Sequence, residues 1–198
     1  MQATACACEE MAQRLTLTGE RILLRTLDEA DAQGPYRVWM NDAAVTRFLE
    51  SRFRSFSETD LRKFIGDANA RPDTVFLGIF LREHGQHIGN IKLEIARAHL
   101  RGEVGVLVGD KEQWGKGYAS EAISQLAQHA FGDLKLHKLT AGCYSANVGS
   151  MRAFENAGFV IEGVRARHYA LEGEWLDLVL MARFSPESIR PPFHKAVS

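Results

Sequence analysis

One stretch constrains the fold more than any other: Val104-Gly105-Val106-Leu107-Val108-Gly109-Asp110-Lys111-Glu112-Gln113-Trp114-Gly115-Lys116-Gly117-Tyr118-Ala119. A β-rich run gives way to a polar turn with two glycines, and the period then becomes helical. Ala119, Ala122, Ile123, Leu126 and Ala130 fall on one apolar stripe, backed by Ser120, Glu121, Ser124, Gln125 and Gln128. A helix with one apolar stripe must bury it against another layer, so strand, loop and helix together call for a sheet with helices on its faces. Gly115 and Gly117 let the backbone approach a ligand without Cβ interference. The unpaired N–H groups of the first helical turn, the helix dipole and Lys116 all favour an anion there. A phosphate or pyrophosphate site is therefore expected.

The flanking sequence supplies the other elements. Arg21–Leu27 reads as an opening strand, with Asp28 as N-cap of a helix carrying Tyr36, Trp39 and Met40; Ser57 opens a second helix through Leu61, Phe64 and Ile65. Thr74–Leu81 and His87–Ala96 read as a hairpin turning at Glu83-His84-Gly85-Gln86, and the Arg101-Gly102 turn leads into a strand from Glu103 to Val108. Beyond the amphipathic helix come a strand at Lys138–Tyr144, a short helix from Asn147 to Asn156 closed by Gly158, and two long strands, Phe159–Tyr169 and Trp175–Arg183. The order β-α-α-β-β-β-α-β-α-β-β predicts an α/β domain with a mixed sheet. Residues 1–16 read as an extension and 17–184 as the body. Pro186, Pro191 and Pro192 make 185–198 an irregular tail.

Composition narrows the functions open to this domain. Among 198 residues, 45% are hydrophobic and 25% charged, as in chains that bury a core. Lys+Arg 24 against Asp+Glu 25 leaves a net charge of -1, without the broad cationic field that nucleic acid or an anionic membrane would require, so a phosphate-bearing partner must be met locally. No apolar run is long enough for a membrane span and no leader is legible, so a cytoplasmic protein is expected. Cys6, Cys8 and Cys143 form neither a disulfide framework nor a zinc-ligand pattern, and no metal is expected.

Three phosphate-binding patterns compete for the glycine loop. Five residues separate Gly109 from Gly115-Lys116, and Gly117 stands where a P-loop needs Ser or Thr. Gly115-x-Gly117-x-x-Ser120 lacks the third glycine of a dinucleotide fingerprint and follows a strand late in the domain. Gln113-Trp114-Gly115-Lys116-Gly117-Tyr118-Ala119 resembles the acyl-CoA loop of the GNAT superfamily, Arg/Gln-x-x-Gly-x-Gly/Ala. Glu112 departs from that pattern in the manner of the ribosomal-protein alanine acetyltransferase branch. Gly19–Arg25, Trp39–Thr46, Asn147-x-x-Ser150, Ala157-Gly158-Phe159 and Glu162-Gly163 resemble the same branch, in order, over about residues 17–184.

The resemblance implies a single domain with a mixed, mostly antiparallel sheet flanked by helices, in which two parallel strands splay around acetyl-CoA. Val106, Leu107 and Val108 would pair with its pantetheine arm; Gln113, Trp114, Gly115, Lys116, Gly117, Tyr118 and Ala119 would hold its pyrophosphate; Asn147 and Phe154 would lie beside it. Acetyl transfer needs a neutral amine, so a base must take a proton. Glu103, in the alternation class of Gly105 and Leu107, is the candidate for a buried carboxylate in that role, and a surface glutamate is the alternative. The tyrosine that many relatives use to protonate the thiolate is Phe154 here, which leaves Ser150, with Tyr144 or water behind it, as donor; a first-turn serine also serves as a simple cap. Trp39 and Tyr169 are candidates for the acceptor side, together with Phe48, Phe53 and Phe56, although aromatic residues there also read as core. The implied activity is direct transfer of acetyl from acetyl-CoA to a primary amine, either a protein N-terminus or a small molecule. A nucleotide-linked amino sugar or polyamine acceptor, or a non-catalytic CoA-binding module, are the alternatives. The resemblance leaves a homodimer open.

Overall fold

The computed structural model describes residues 14–187, so Cys6, Cys8, most of the N-terminal extension and the end of the tail lie outside the described residues. The described elements are β1 (Thr16–Thr18), β2 (Ile22–Thr26), α1 (Pro35–Met40), α2 (Ala43–Thr46), α3 (Glu58–Ala70), β3 (Thr74–Leu81), β4 (His87–Ala96), β5 (Arg101–Val108), α4 (Tyr118–Gly132), β6 (Lys138–Tyr144), α5 (Val148–Asn156), β7 (Val160–Leu171) and β8 (Glu174–Phe184). The strands form one sheet in the order β1-β2-β3-β4-β5-β6-β8-β7. Every neighbouring pair is antiparallel except β5 and β6.

That parallel pair holds together over three rungs only, Arg101 with Lys138, Gly102 with Leu139 and Glu103 with Thr140. Beyond them β5 stays paired with β4 as far as Val108, and β6 stays paired with β8 as far as Tyr144. Two strand edges thus face each other across an opening, each with backbone N–H and C=O groups not paired across it.

Each face of the sheet carries its own core. On one side α4 sets Ala122, Ile123, Leu126 and Ala130 against Ile91, Leu93, Val104, Leu139 and Cys143, with Phe154 from α5. On the other, α1 and α3 set Tyr36, Trp39, Leu61 and Ile65 against Phe76 and Phe80. Strand alternation assigns the side chains: Val104 and Val106 join the α4 side and Leu107 the α1–α3 side. On β6, Leu139, Ala141 and Cys143 join the α4 side, which turns Thr140 and Tyr144 to the other.

Four local features differ from the sequence expectation. Leu15, assigned to the extension, donates its N–H to Thr26 Oγ1, and β1 pairs with β2 from Thr16 onward. Asp28 does not begin one long helix. It precedes a 3-10 turn at Glu29–Gln33 in which its N–H reaches Asp31, and α1 starts afresh at Pro35 because the residue before a proline is driven to extended geometry, as Gly34 is. α2 and a 3-10 turn at Glu50–Phe53 occupy a stretch too short to show periodicity. The chain reverses before β5 at Arg97–His99, with Leu100 left-handed at φ 47, so Arg101 and Gly102 already belong to the strand.

Candidate cofactor and acceptor site

The glycine loop leaves β5 at the open end of the splay. Trp114 donates its indole N–H to the carbonyl of Val108 at 2.7 Å, fastening the loop to the strand end; Val108's carbonyl is thereby engaged from the loop side. Gly115 and Gly117 both take left-handed backbone, φ 75 and 84, which a side chain would strain. A Cβ built on Gly115 meets nothing within 4 Å, so open space lies over the turn. Gly117 is the N-cap of α4 and brings no side chain to satisfy the helix's first N–H groups. Lys116 is exposed, with Nζ on Gln113 Oε1 at 3.1 Å. Tyr118 and Ala119 begin the helix half-buried. From far along the chain, Arg21 donates from Nη1 to the Lys116 carbonyl at 2.9 Å and from Nε to Glu121 at 2.8 Å, and it lies 4.8 Å over the Tyr118 ring.

Val106, Leu107 and Val108 are half-buried along the free edge of β5, facing the edge of β6. Asn147 caps α5 by accepting the Ser150 N–H at 3.1 Å. Ser150 Oγ sits 3.4 Å from Cys143 Sγ, and burial pushes that thiol's pKa up although the Ser150 contact opposes it. Phe154, expected beside the cofactor, is instead a core residue at 2% exposure, edge-on to Phe159 at 5.0 Å. An aromatic ring in that position is drawn inward by the apolar packing of α5 on the sheet.

Across the sheet, Tyr144 at the end of β6 anchors a cluster that sequence reasoning only brushed. Its hydroxyl donates to Glu50 and accepts from Arg52 Nη1 at 2.7 Å. Its ring stacks on Tyr169 at 3.9 Å and 9°, and Phe48 lies 5.7 Å away. Arg52 also donates to the carbonyls of Leu49 and Ala170, so it ties the α2–α3 connection to β7. Burial, then the hydrogen bond to Glu50, pushes the Tyr144 phenol up to about 12, and burial also raises Tyr169. Tyr169, a candidate for the acceptor side, is half-buried in this cluster.

Trp39, the other candidate, does not join it. It is 6% exposed, edge-on to His87 at 5.0 Å, and so close to Gly109 that a Cβ there would lie 2.1 Å from its indole. Its large apolar area is used in the core, and Gly109 is small because the indole covers it. Glu103 occupies the last rung before the splay, but its side chain is exposed rather than buried. Strand alternation turns it, like Leu107, to the face of the sheet that carries Tyr144, and its charge adds a little to the raising of the Tyr169 phenol.

A loop with bare helix amides, an adjoining cleft between two strand edges and a polar-aromatic cluster beside it suit an elongated phosphate-bearing ligand entering from one side and a second reactant from the other. Known proteins share this fold. The probable N-acetyltransferase YjcK of Bacillus subtilis (strain 168) is 37% identical over 112 residues, 56% of this chain and 61% of that protein, so the chain matches less than two thirds of that relative's length. The crystal structure of spermidine N-acetyltransferase from Vibrio cholerae, in complex with CoA and spermine, superposes with a TM-score of 0.74 at 21% identity, covering 84% of this chain and 97% of that one. The ribosomal-protein-S5-alanine acetyltransferase of Vibrio fischeri gives a TM-score of 0.75 at 19% identity, over 87% and 98%. The family described as acetyltransferase (GNAT) domain matches residues 21–160, and with more than half of its length so matched the chain belongs to the GNAT acetyltransferase family.

Proposed function

We propose that this protein is an N-acetyltransferase that moves acetyl from acetyl-CoA directly to a primary amine. The splay of β5 from β6 beyond Glu103 and Thr140, opening at the end where Gly115 and Gly117 turn into α4, carries this reading. The residues fit such a co-substrate. The amides around Gly115, Gly117, Tyr118 and Ala119 with Lys116 suit a diphosphate, the free edge at Val106–Val108 suits the amide groups of a pantetheine arm, and the side chain of Asn147 lies at the far edge. Acetyl-CoA supplies the activated thioester.

In the transfer a C–N bond forms, the C–S bond breaks, one proton leaves the amine and one returns to the thiolate. Glu103, exposed at the last rung, is the carboxylate placed to take the amine proton and pass it to solvent. Ser150, half-buried at the start of α5, is the hydroxyl placed to donate to the thiolate. Glu50 and the Tyr144–Tyr169 stack offer a carboxylate and π faces that attract an ammonium before it loses its proton. The neighbours named for spermidine and for a ribosomal-protein alanine make a polyamine and a peptide N-terminus the first acceptors to try.

A mass-detected screen of peptides, polyamines and nucleotide-linked amino sugars tests the reading. It predicts an acetylated product matched by released thiol, with Glu103→Gln slowed roughly 10²-fold and most at low pH, where the amine is protonated. CoA binding without any acetylated amine would instead favour a non-catalytic module, the reading suggested by Phe154 at the usual tyrosine position.

A further inference from the structure

We infer that Arg21 is a phosphate ligand of the proposed cofactor site, its guanidinium supplying a fixed side-chain charge beside the glycine loop for the CoA diphosphate. The inference rests on the acetyl-CoA reading above and adds to it a residue far outside the loop motif, 95 positions from Lys116.

The geometry of Arg21 is set from three sides. Glu121, in the first turn of α4, accepts the backbone N–H groups of Arg21 at 2.8 Å and Ile22 at 3.3 Å through Oε1, and Arg21 Nε at 2.8 Å through Oε2. Nη1 donates to the Lys116 carbonyl at 2.9 Å. The Tyr118 ring lies beneath the guanidinium. Among the described residues Nη2 has no acceptor, and it lies 3.4 Å from where a Cβ of Gly117 would be, beside the first turn of α4. A planar fork held by two of its three nitrogens presents its third toward the site with its rotamer entropy already lost, which is where a bidentate or charge-assisted phosphate contact gains most.

The other cations near the loop are less suited. Lys111 is paired with Asp42, and Lys116 is exposed on a flexible stem with a neutral partner, Gln113. Arg21 remains partly exposed, with 46% of its side chain accessible, so a ligand can reach it. Glu121 offsets its charge in the free protein without occupying Nη2.

Calorimetric titration of CoA into the full chain, at several salt concentrations, tests this directly. Arg21→Gln keeps an amide N–H at the reach of Nε, able to donate to Glu121, but removes the charge. It should weaken CoA roughly 10- to 100-fold at low salt and flatten the dependence of Kd on salt. Arg21→Lys should lose less and keep the wild-type salt dependence. Dephospho-CoA, which retains the diphosphate but lacks the ribose phosphate, should show the same fold loss as CoA, and phosphate-free acetyl-pantetheine should bind all three proteins equally. An Arg21→Gln protein with wild-type salt dependence, a loss extending to acetyl-pantetheine, or a loss that vanishes with dephospho-CoA would each overturn the inference. If Arg21→Gln does not fold, Arg21→Lys with a salt dependence as flat as that of an uncharged site does the same. A wild-type protein that binds no CoA overturns the cofactor reading itself, a different outcome from wild-type binding that Arg21 does not influence.

Discussion

Tyr144 shows how a residue's chemistry depends on partners remote in the chain. Its hydroxyl lies between Glu50, 94 positions earlier, and Arg52, 92 positions earlier, so nothing local to the Cys143-Tyr144-Ser145 sequence announces the cluster. The aromatic and charged residues of 46–53 were visible, but their convergence on β6 and β7 was not. The glycines were legible for the opposite reason: Gly115 and Gly117 act through their own backbone, φ 75 and 84, and a strand-to-helix context suffices to read them. Trp39 misled because burial and ligand contact both favour a large aromatic, and only the close approach to Gly109 separates them. Burial and the Glu50 bond favour the neutral phenol of Tyr144, so spectrophotometric titration should reveal a tyrosine ionising near 12 that disappears in Tyr144→Phe. An unchanged titration curve in that variant would remove the cluster from the account.

At the scale of elements, the long periodic pieces were read closely and the short ones were not. α4 buries the stripe its sequence shows, α3 buries Leu61 and Ile65 but leaves Phe64 exposed, and Ser57 caps α3, with the Asp60 N–H on Ser57 Oγ at 3.1 Å and the Ser57 N–H on Asp60 at 2.9 Å. Ser57→Ala should therefore lower stability by about 1 kcal/mol in denaturant titration, whereas Ser57→Asp should recover most of it. β1, α2 and the 3-10 turns have only three to five residues each, below the length at which a period can be counted, and tertiary contacts decide them. Near the middle of β7 the pairing with β8 breaks between Arg165 and Tyr169, Arg167 takes φ 51, and its N–H finds Asp177 at 2.7 Å. That kink carries Tyr169 to its stack on Tyr144, and no local propensity encodes it.

The molecule as a whole carries a polar knot under α1 that ties α1 and the 3-10 turn before it to the sheet. His87, 9% exposed, is stacked on Phe80 at 4.5 Å and lies edge-on to Trp39, with Nε2 on Asn90 Oδ1 at 2.9 Å and the Gly89 carbonyl at 3.0 Å. Burial holds its pKa below the usual histidine value, despite Asn90, Asp31 and Gly89, and Arg25 adds to the depression. Burial tends to raise the Asp31 carboxyl, but its bonds to Arg25, both at 2.8 Å, and the Asp28 N–H hold it below the ordinary range. Both shifts act in one direction. The unfolded chain binds more protons than the folded one as pH falls, first through the ordinary histidine range and then through the carboxylate range, so stability drops with acidification. The thermal midpoint should fall as pH drops below the usual histidine value, and His87→Gln should remove that first step while leaving the loss in the carboxylate range. A His87→Gln protein with the full wild-type pH profile would contradict this assignment.

The seam between β5 and β6, with the glycine loop at its open end, is the place proposed for the acyl donor. Amide hydrogen exchange with and without CoA tests it most directly, because an exposed strand edge exchanges until a ligand pairs with it. Slowed exchange is expected at Val104–Val108, Ala141–Tyr144 and Gly115–Ala119. Unchanged exchange along those segments at saturating CoA, or protection confined to other strands, would contradict it.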